Sequence, residues 1–274
     1  MSNIDDKTVA SFGYEWTRFK QSGMSDAEAC KAFDEYFAVF PWNLLTPDAV
    51  GFDKGCGSGR WARFVAPNVC RLNCVDPSAA ISVARVALAE HGNVLFHQAS
   101  VDASGLQPGS QDFGYSLGVL HHVPDTAAAI RSCEELLKPG APLLPYPYYA
   151  FDNRPSWFQS LWKVSDWGRR VIHRLPPSLK HLATDIIAAL VYWPLARLSG
   201  VLEGLKLEVH GIPLFFLPSP HLYTMRTDAR DRFVKPSEQR FTRMQIESMM
   251  RSAGLTDLRF SESAPYWCLV GVKA

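Results

Sequence analysis

The sequence predicts an α/β fold in which helices cover both faces of a mostly parallel sheet. Short apolar segments alternate with amphipathic ones from residue 47 to residue 150, as in strands joined by crossover helices. Near the C-terminus, the strand-like segments 258–261 and 267–272 are too close for a helix between them, so they run antiparallel. Segment 150–240 is too long for an unstructured loop and is predicted to be a largely helical insertion.

Local signals give the individual elements. Apolar runs bounded by turn-forming residues predict seven strands, at 49–53, 71–75, 94–97, 112–117, 143–149, 258–261 and 267–272. Apolar residues at helical spacing predict helices at 27–40, 59–66, 78–91, 125–137 and 242–253. Thr242 and Gln245 have the spacing of a capping box at the start of the last helix.

These elements divide the chain into three regions. Residues 1–44 are predicted to form an N-terminal helical cap, and 45–150 together with 241–274 a cofactor-binding core. Residues 151–240 are predicted to form an inserted substrate-binding lid. We expect the lid to lie over the carboxyl edge of the sheet, because ligands bind at that edge in open α/β folds.

The composition excludes several classes of protein. The net charge is +1 and no basic stripe is present, which argues against a nucleic-acid partner. The six cysteines lack metal-ligand spacing, so no metal is expected. The N-terminus lacks a secretion signal, and the longest apolar run, 186–196, is shorter than the roughly 20 residues of a spanning helix. We therefore expect a soluble, cytoplasmic protein with no membrane span, although segment 151–240 carries a net charge of +5.

A glycine-rich turn follows the first predicted strand. Its sequence is D-K-G-C-G-S-G, from Asp53 to Gly59, and glycines there let the backbone approach a ligand closely. A dinucleotide fingerprint requires a third glycine at the position of Arg60. An acid two residues before the first glycine repels a pyrophosphate and suits a cationic ammonium or sulfonium. The turn therefore favours a sulfonium cofactor over NAD.

Asp76 is the second candidate for the cofactor site. It stands 23 residues after Asp53, at the end of the second predicted strand. Its two carboxylate oxygens could accept hydrogen bonds from both hydroxyls of a ribose. An aspartate at a strand end could equally cap the next helix. A cofactor-binding role for Asp76 is therefore inferred only from its occurrence together with the glycine turn.

The order of these motifs resembles that of class I S-adenosylmethionine-dependent methyltransferases. The resemblance rests on 53–59, Asp76, the Q-A-S-V-D stretch 98–102, the L-H-H-V-P-D stretch 120–125 and the L-L-K-P-G turn 136–140. It covers roughly 45–150 and 241–274, and it implies a Rossmann-like seven-stranded sheet with an antiparallel last strand. It also implies S-adenosylmethionine as cofactor and S-adenosylhomocysteine as product.

The resemblance implies a role for each matching residue. Asp53, Gly55 and Gly57 would hold the methionine end, Asp76 the ribose, and Leu117 with Gly118 would lie beside the sulfonium. Ser100, Val101 and Asp102 would border the adenine. Tyr14, in a segment similar to the leading segment of some bacterial relatives, would close over the cofactor or pack in the core. The full predicted cofactor set is Tyr14, Asp53, Gly55, Cys56, Gly57, Asp76, Pro77, Ser100, Val101, Asp102, Leu117 and Gly118.

Two positions depart from the family pattern. Lys54 stands where the family has an apolar residue, in a strand that should be buried, so its amine must reach solvent or a carboxylate. Pro145 and Pro147 fall in the predicted fifth strand, where proline removes a ladder donor. We expect that strand either to end near Leu144 or to bulge towards the substrate.

His121 and His122 are the candidate catalytic residues. Methyl transfer needs alignment of the acceptor, the carbon and the sulfur, and a hydroxyl or carbon acceptor also needs a base. Imidazole titrates near neutrality, which suits that task. The alternative is a structural turn in which one ring bonds the backbone and the other packs.

The candidate substrate-binding residues lie at and beyond the fifth strand. Tyr146 and Tyr149 begin an aromatic-rich segment that could wall a pocket or form the insertion's own core. Arg226 and Arg230 could bind an anionic acceptor, or pair internally with Asp228 and Asp231.

The sequence thus predicts an enzyme that methylates oxygen, nitrogen or carbon of a small or medium organic acceptor, for instance in natural-product or glycan tailoring. Two alternatives remain open. One is an NAD-dependent sugar-modifying oxidoreductase, and the other is a non-catalytic partner protein that keeps the fold.

Overall fold

The computed structural model describes residues 3–18, 25–204, 225–226, 229–230, 233 and 238–274. The chain divides into two compact units. The first comprises Met1–Gln21, Ala29–Ala150 and Ser237–Ala274, and the second comprises Ser22–Glu28 and Phe151–Pro236.

The first unit contains a seven-stranded sheet with the order β3-β2-β1-β4-β5-β7-β6. Strands β1 to β5 pair in parallel, and β7 pairs antiparallel with both β5 and β6. The predicted fold class is confirmed, because this is a mostly parallel Rossmann-like sheet with an antiparallel last strand. The strands are β1 Val50–Lys54, β2 Arg71–Val75, β3 Val94–His97, β4 Phe113–Leu117, β5 Pro142–Tyr146, β6 Leu255–Phe260 and β7 Leu269–Lys273.

Helices cover both faces of this sheet. Buried residues of α3 and α4 share one apolar cluster with β2 and β4, and buried residues of α5 and α9 share another with β5 and β7. The capping box predicted for the last helix is present between Thr242 and Gln245. The helices outside the insertion are α1 Asp6–Arg18, α2 Asp26–Phe37, α3 Ala62–Val65, α4 Ala80–Ala87, α5 Thr126–Glu134 and α9 Arg243–Ser252.

Two glycines let the central strands interlock. Gly51 pairs with Phe113 in register, and Phe52 pairs with Gly114. A Cβ added at Gly51 would lie 2.2 Å from the Phe113 ring, and one at Gly114 would lie 2.1 Å from the Phe52 ring. Each aromatic ring therefore occupies the space that its opposite glycine leaves empty.

Pro145 is accommodated inside β5. The strand continues past Leu144 to Tyr146, and Pro145 pairs with Ser116 of β4. On the other side, β7 pairs only with Pro142 and Leu143. Beyond Leu143 the strand has a partner on one side alone, which is where a residue without an amide proton is tolerated. The strand therefore extends two residues past the end expected at Leu144.

The second unit is helical where it is described, as predicted for the insertion. It contains α6 Ser156–Ile172, α7 Pro177–Ile187, a π-helical turn Ala188–Tyr192 and α8 Trp193–Gly204. Its small core comprises Ala188, Tyr192, Met225 and Ala229.

One helical stretch of this unit, Ser178–Leu202, is long and apolar enough to cross a membrane by length and composition. Its mean hydropathy is 1.4, and only 12% of the most apolar window is buried. From the sequence, only the shorter run 186–196 was compared with the length of a spanning helix. The length of the apolar stretch was therefore underestimated. Most of this window is therefore exposed rather than part of a core among the described residues.

Candidate active site

The glycine-rich turn leaves the carboxyl end of the central strand β1. Gly55, Gly57 and Gly59 have φ values of +81°, +53° and +81°, a region that favours glycine. At Gly55 a Cβ would also lie 2.4 Å from the Val119 side chain. The amide of Gly55 donates to the Val75 carbonyl at 2.7 Å, which fixes the turn against β2. The helix predicted at 59–66 is short, because the turn extends into Trp61 before α3 begins.

Asp76 ties the end of β2 to this turn. Its Oδ2 accepts from the Gly57 amide at 2.9 Å. Its Oδ1 accepts from the Ser78 amide at 2.8 Å and from the Ser78 hydroxyl at 2.6 Å. One oxygen of Asp76 thus binds the segment that leads into the next helix, and the other holds the glycine turn, while ribose binding by Asp76 stays a prediction. Three of the roughly four acceptor positions of the carboxylate are used within the chain.

Asp53 is a buried carboxyl at the start of the turn. It is 1% exposed, and its Oδ2 makes no hydrogen bond to any residue in the part of the chain that the structure describes. Burial raises the pKa of Asp53 to about 8, with the adjacent Tyr115 hydroxyl opposing this and the Asp76 charge adding to it. A buried acceptor without a partner is costly. It therefore fits a site that receives a donor or a cation from a ligand.

Lys54 does not reach solvent or a carboxylate, contrary to the expectation from sequence. It is 1% exposed, and its Nζ donates to the Val101 carbonyl at 2.6 Å and to the Ser132 carbonyl at 2.9 Å. The ammonium thus links the central strand to the loop around Val101 and to helix α5. A lysine in this position works as a structural tie, because its charge is satisfied by carbonyl oxygens.

The segment Ser100–Asp102 is held from several sides. The Ser100 hydroxyl donates to Asp102 Oδ1 at 2.6 Å, and the Asn3 amide donates to Asp102 Oδ2 at 3.0 Å. The Ser100 hydroxyl is the main cause of the lowered pKa of Asp102. The Ser132 hydroxyl and Lys54 both donate to the Val101 carbonyl. These bonds hold the predicted adenine-bordering loop in place.

Gly118 provides open space at the end of β4. It has a φ of +75°, its amide donates to the Tyr146 carbonyl at 3.0 Å, and a Cβ built there would meet no heavy atom within 4 Å. This is the position that the resemblance assigns to the sulfonium. The residues present therefore fit the implied cofactor, with room at Gly118 and an unsatisfied carboxyl at Asp53.

His121 and His122 lie in a short 3₁₀ turn directly after this edge. Both are buried, and their ring centroids are 4.0 Å apart. His121 stacks on Tyr148 with a centroid separation of 3.7 Å, while Phe12 meets His122 edge-on at 5.0 Å. His121 is completely inaccessible, whereas His122 retains 5% exposure. Of the two imidazoles, His122 is the one nearer to solvent.

The predicted substrate residues fall in three different places. Tyr146 joins the apolar cluster on one face of the sheet, and its ring lies 5.0 Å from that of Tyr36. Tyr149 packs against the cluster on the other face, near Trp267. Arg226 and Arg230 belong to the second unit. Tyr146 and Tyr149 therefore lie on opposite faces of the sheet and do not line one wall of a pocket.

Arg226 and Arg230 both bind Asp185 of α7. Arg226 donates a bidentate pair of hydrogen bonds to the Asp185 carboxylate at 2.9 and 2.8 Å, and Arg230 donates one at 3.1 Å. One of the two interpretations from the sequence was an internal ion pair with Asp228 and Asp231. The arginines are ion-paired, but with Asp185, and Asp228 and Asp231 lie outside the described residues. The side chain of Tyr14 is also outside the described part of the structure, so its closure over the cofactor stays a prediction.

Several residues of the site were not identified from the sequence. Ser78 and Tyr115 contact the two acidic side chains, and Ser116 donates from its hydroxyl to the Lys54 carbonyl at 2.7 Å. Ser132 lies 78 residues after Lys54 in the chain. The signal for Ser116 was a polar residue in an apolar strand, but nothing in the sequence pointed to Ser132.

Comparison with known proteins agrees with this geometry. Residues 52–144 match the family model described as a methyltransferase domain. The ubiquinone biosynthesis O-methyltransferase of Sodalis glossinidius is 30% identical over 170 residues, which is 61% of this chain and 63% of that protein. The same-named protein of Xanthomonas campestris is 37% identical over 147 residues, covering 53% and 59%. The chain spans about three fifths or less of the first curated relatives that it matches.

Solved structures show the same fold at low identity. A methyltransferase of Thermotoga maritima, described as S-adenosylmethionine-dependent and as a possible histamine N-methyltransferase, has a TM-score of 0.51 at 14% identity, with 96% of this chain and all of that chain covered. A putative O-methyltransferase of Nostoc punctiforme has a TM-score of 0.50 at 14% identity, covering 94% and 60%. These structures show the fold alone. The match of residues 52–144 to a methyltransferase domain, together with the glycine turn, shows a methyltransferase domain of the S-adenosylmethionine-dependent type in this chain.

Proposed function

We propose that the chain transfers the methyl group of S-adenosylmethionine to a hydroxyl oxygen of a small or medium organic acceptor. The observation that carries this proposal is the buried Asp53 carboxyl, which has an oxygen without a partner among the described residues, beside a glycine turn that Asp76 holds. The choice of oxygen rests on the relatives, which are named O-methyltransferases. Acceptors from natural-product or glycan tailoring are the first to test.

Each of the predicted site residues would have a separate role in binding or catalysis. Asp53 would face the methionine ammonium, Asp76 the ribose, and the loop Ser100–Asp102 the adenine. When bound, the cofactor supplies a methyl group on a positively charged sulfur, which is a strong leaving group. His122 would take the proton of the acceptor hydroxyl, because it is the more accessible imidazole of the pair. His121, stacked between Tyr148 and His122, would position that ring.

Calorimetry and turnover test the function. S-adenosylhomocysteine should bind with micromolar or tighter affinity and NAD should not bind, because the turn has Arg60 in place of a third glycine. Labelled S-adenosylmethionine with a panel of phenols, sugars, amines and carbon acids then identifies the acceptor atom. Binding of NAD alone would refute the proposal and restore the oxidoreductase alternative. Transfer to amines alone would refute the choice of oxygen.

Cofactor binding should release a proton at pH 7. At that pH free Asp53 is largely protonated, since its pKa is about 8, and a cation placed beside it favours the carboxylate. Calorimetry in two buffers of different ionisation enthalpy measures the release, which should disappear well above pH 8. The Asp53→Asn variant should show no buffer dependence at any pH. Equal heats in both buffers for the unmodified chain would contradict this role of Asp53.

The same group predicts how the stability of the free protein changes with pH. The pKa of Asp53 in the folded chain lies above its ordinary value of 3.8, so the folded state binds the proton more tightly. Its contribution to stability is therefore complete at acid pH and is lost as the pH rises towards 8. Urea unfolding across this range should show a decline that Asp53→Asn removes.

His122→Asn should lower kcat for a hydroxyl acceptor by about a hundredfold or more, as expected for loss of a general base. The acidic limb of the pH–rate profile should disappear at the same time, while cofactor affinity stays unchanged. His121→Asn, with the same change in size, should reduce the rate but keep the limb. A wild-type profile in both variants would remove the histidines from catalysis.

A further inference from the structure

Helix α6 of the second unit carries an apolar stripe on its exposed face. Trp157, Leu161, Val164, Trp167 and Val171 follow one another at spacings of three or four residues, which places them on one side of the helix. Val164 is 66% exposed and Trp167 69%. Single exposed apolar side chains are ordinary on protein surfaces, whereas a continuous patch marks an interaction surface.

The next helices of the same unit also carry exposed apolar side chains. Thirteen of the seventeen large apolar side chains that are exposed among the described residues lie between 157 and 201. This concentration in a small part of the chain separates the patch from random exposure. On α7, the π-helical turn and α8, the exposed apolar side chains include Leu179, Leu182, Ile186, Leu190, Trp193 and Val201.

Positive charge borders the stripe. Lys163 and Arg170 fall beside Trp167 on the helical wheel of α6, and Arg174 follows the end of the helix. Segment 151–200 contains seven Lys or Arg against three Asp. Asp166 pairs with Arg169 and Arg170, and Asp185 pairs with Arg226 and Arg230. Segment 151–200 nevertheless keeps a net charge of +4, with Lys163 and Arg174 beside the stripe.

We propose that this stripe docks on the surface of an anionic lipid bilayer, with α6 lying in the plane of the interface. An apolar face with tryptophans, bordered by Lys and Arg, is the composition of a helix that rests at the boundary between headgroups and acyl chains. The tryptophan rings would lie at headgroup level, and the basic side chains would meet anionic lipids. This proposal does not depend on the methyl-transfer reaction.

A second copy of the chain fits the same surface less well. In a symmetric dimer the same patch meets itself, so the basic borders of the two copies would face each other. A spanning orientation of Ser178–Leu202 is also disfavoured. It would carry Lys180, Arg197 and the Asp185 ion pairs into hydrocarbon, which is unfavourable for charged side chains.

Vesicle flotation of the full chain tests the proposal. We expect binding to vesicles made of equal parts phosphatidylcholine and phosphatidylglycerol, weaker binding to phosphatidylcholine alone, and release from the mixed vesicles by high salt. The double variant Trp157→Gln, Trp167→Gln should lose at least tenfold in binding. Val86→Gln with Met244→Gln is the matched control, since both residues are 79% exposed but lie in the first unit.

Three outcomes would overturn the proposal. The chain could stay unbound with both kinds of vesicle, or it could resist extraction at alkaline pH as a spanning protein does. Alternatively, the tryptophan variant could convert a dimer into a monomer without affecting lipid binding. Calorimetry with S-adenosylhomocysteine on each variant confirms that it is folded. Loss of lipid binding with cofactor binding intact separates this proposal from the proposed function.

Discussion

Asp76→Asn is expected to weaken S-adenosylhomocysteine binding at least tenfold while the chain stays folded. The carboxylate accepts from the Gly57 amide, so an amide side chain loses charge at the position that orders the glycine turn. Hydrogen bonds to a charged group contribute about 1.5–3 kcal/mol each, and the ribose contacts would be lost in addition. Calorimetry gives the affinity, and urea unfolding shows whether the change is confined to the site.

The matched control is Asp112→Asn. Asp112 also accepts from a backbone amide, that of Val50 at 2.9 Å, but it precedes β4 and so lies at the amino edge of the sheet. Its replacement should reduce stability and leave cofactor affinity unchanged. Unchanged affinity in Asp76→Asn as well would remove Asp76 from the site.

Ser78→Ala refines the same prediction. The Ser78 hydroxyl and amide together occupy Oδ1 of Asp76, so one of these acceptor positions must be released before both ribose hydroxyls can bind. Removing the hydroxyl should leave cofactor affinity equal or higher, although stability falls because the hydroxyl also accepts from the Ala80 amide. A large loss of affinity would show that Ser78 itself contacts the cofactor.

Lys54→Met is expected to lower cofactor affinity at least tenfold through the adenine loop. The substitution keeps the length of the side chain and removes the ammonium that the Val101 and Ser132 carbonyls share. Each lost hydrogen bond to a charged group costs about 1.5–3 kcal/mol, offset in part because a buried charge is removed. Hydrogen exchange should show faster opening of the amides around Val101, together with the weaker binding.

Ser132→Ala is the matched control for Lys54. The Ser132 hydroxyl donates to the Val101 carbonyl at 3.3 Å and accepts a long contact of 3.5 Å from Lys54, but its loss leaves the two shorter lysine contacts to the Val101 and Ser132 carbonyls in place. We expect a smaller change in both affinity and exchange. A purely structural role of Lys54 would lower the unfolding midpoint of Lys54→Met and leave the affinity and the exchange of the loop unchanged.

Most strands could be predicted because each is a short apolar run between turn-forming residues. Segments 71–75 and 94–97 match β2 and β3 residue for residue. Helix starts were less accurate. The helix expected from 78 begins at Ala80, because the amide and hydroxyl of Ser78 are bound to Asp76 and hold a turn there. Such a competing side-chain contact has the same sequence signature as a helix cap.

The positions of Asp53 and Asp76 in the fold could be predicted, although their contacts with a cofactor stay predictions, and the partners of the basic side chains could not be predicted. Asp53 and Asp76 stand at the ends of the two strands of one βαβ unit. Their positions along the chain therefore predict their positions in the fold. The acceptors of Lys54 lie 47 and 78 residues away, and the Asp185 partner of Arg226 lies 41 residues away. Long flexible side chains choose such partners by tertiary packing, which spacing in the sequence does not encode.

Because Gly51 interlocks with Phe113 and Phe52 with Gly114, we expect the residues at these positions to vary together in evolution. A methyl group at position 114 collides with an aromatic ring at 52 and fits beside a shorter side chain. The effects of changes at 52 and 114 are therefore non-additive, since each sets the volume that the other has available. In any relative that has lost one of these glycines, we expect a smaller residue on the facing strand.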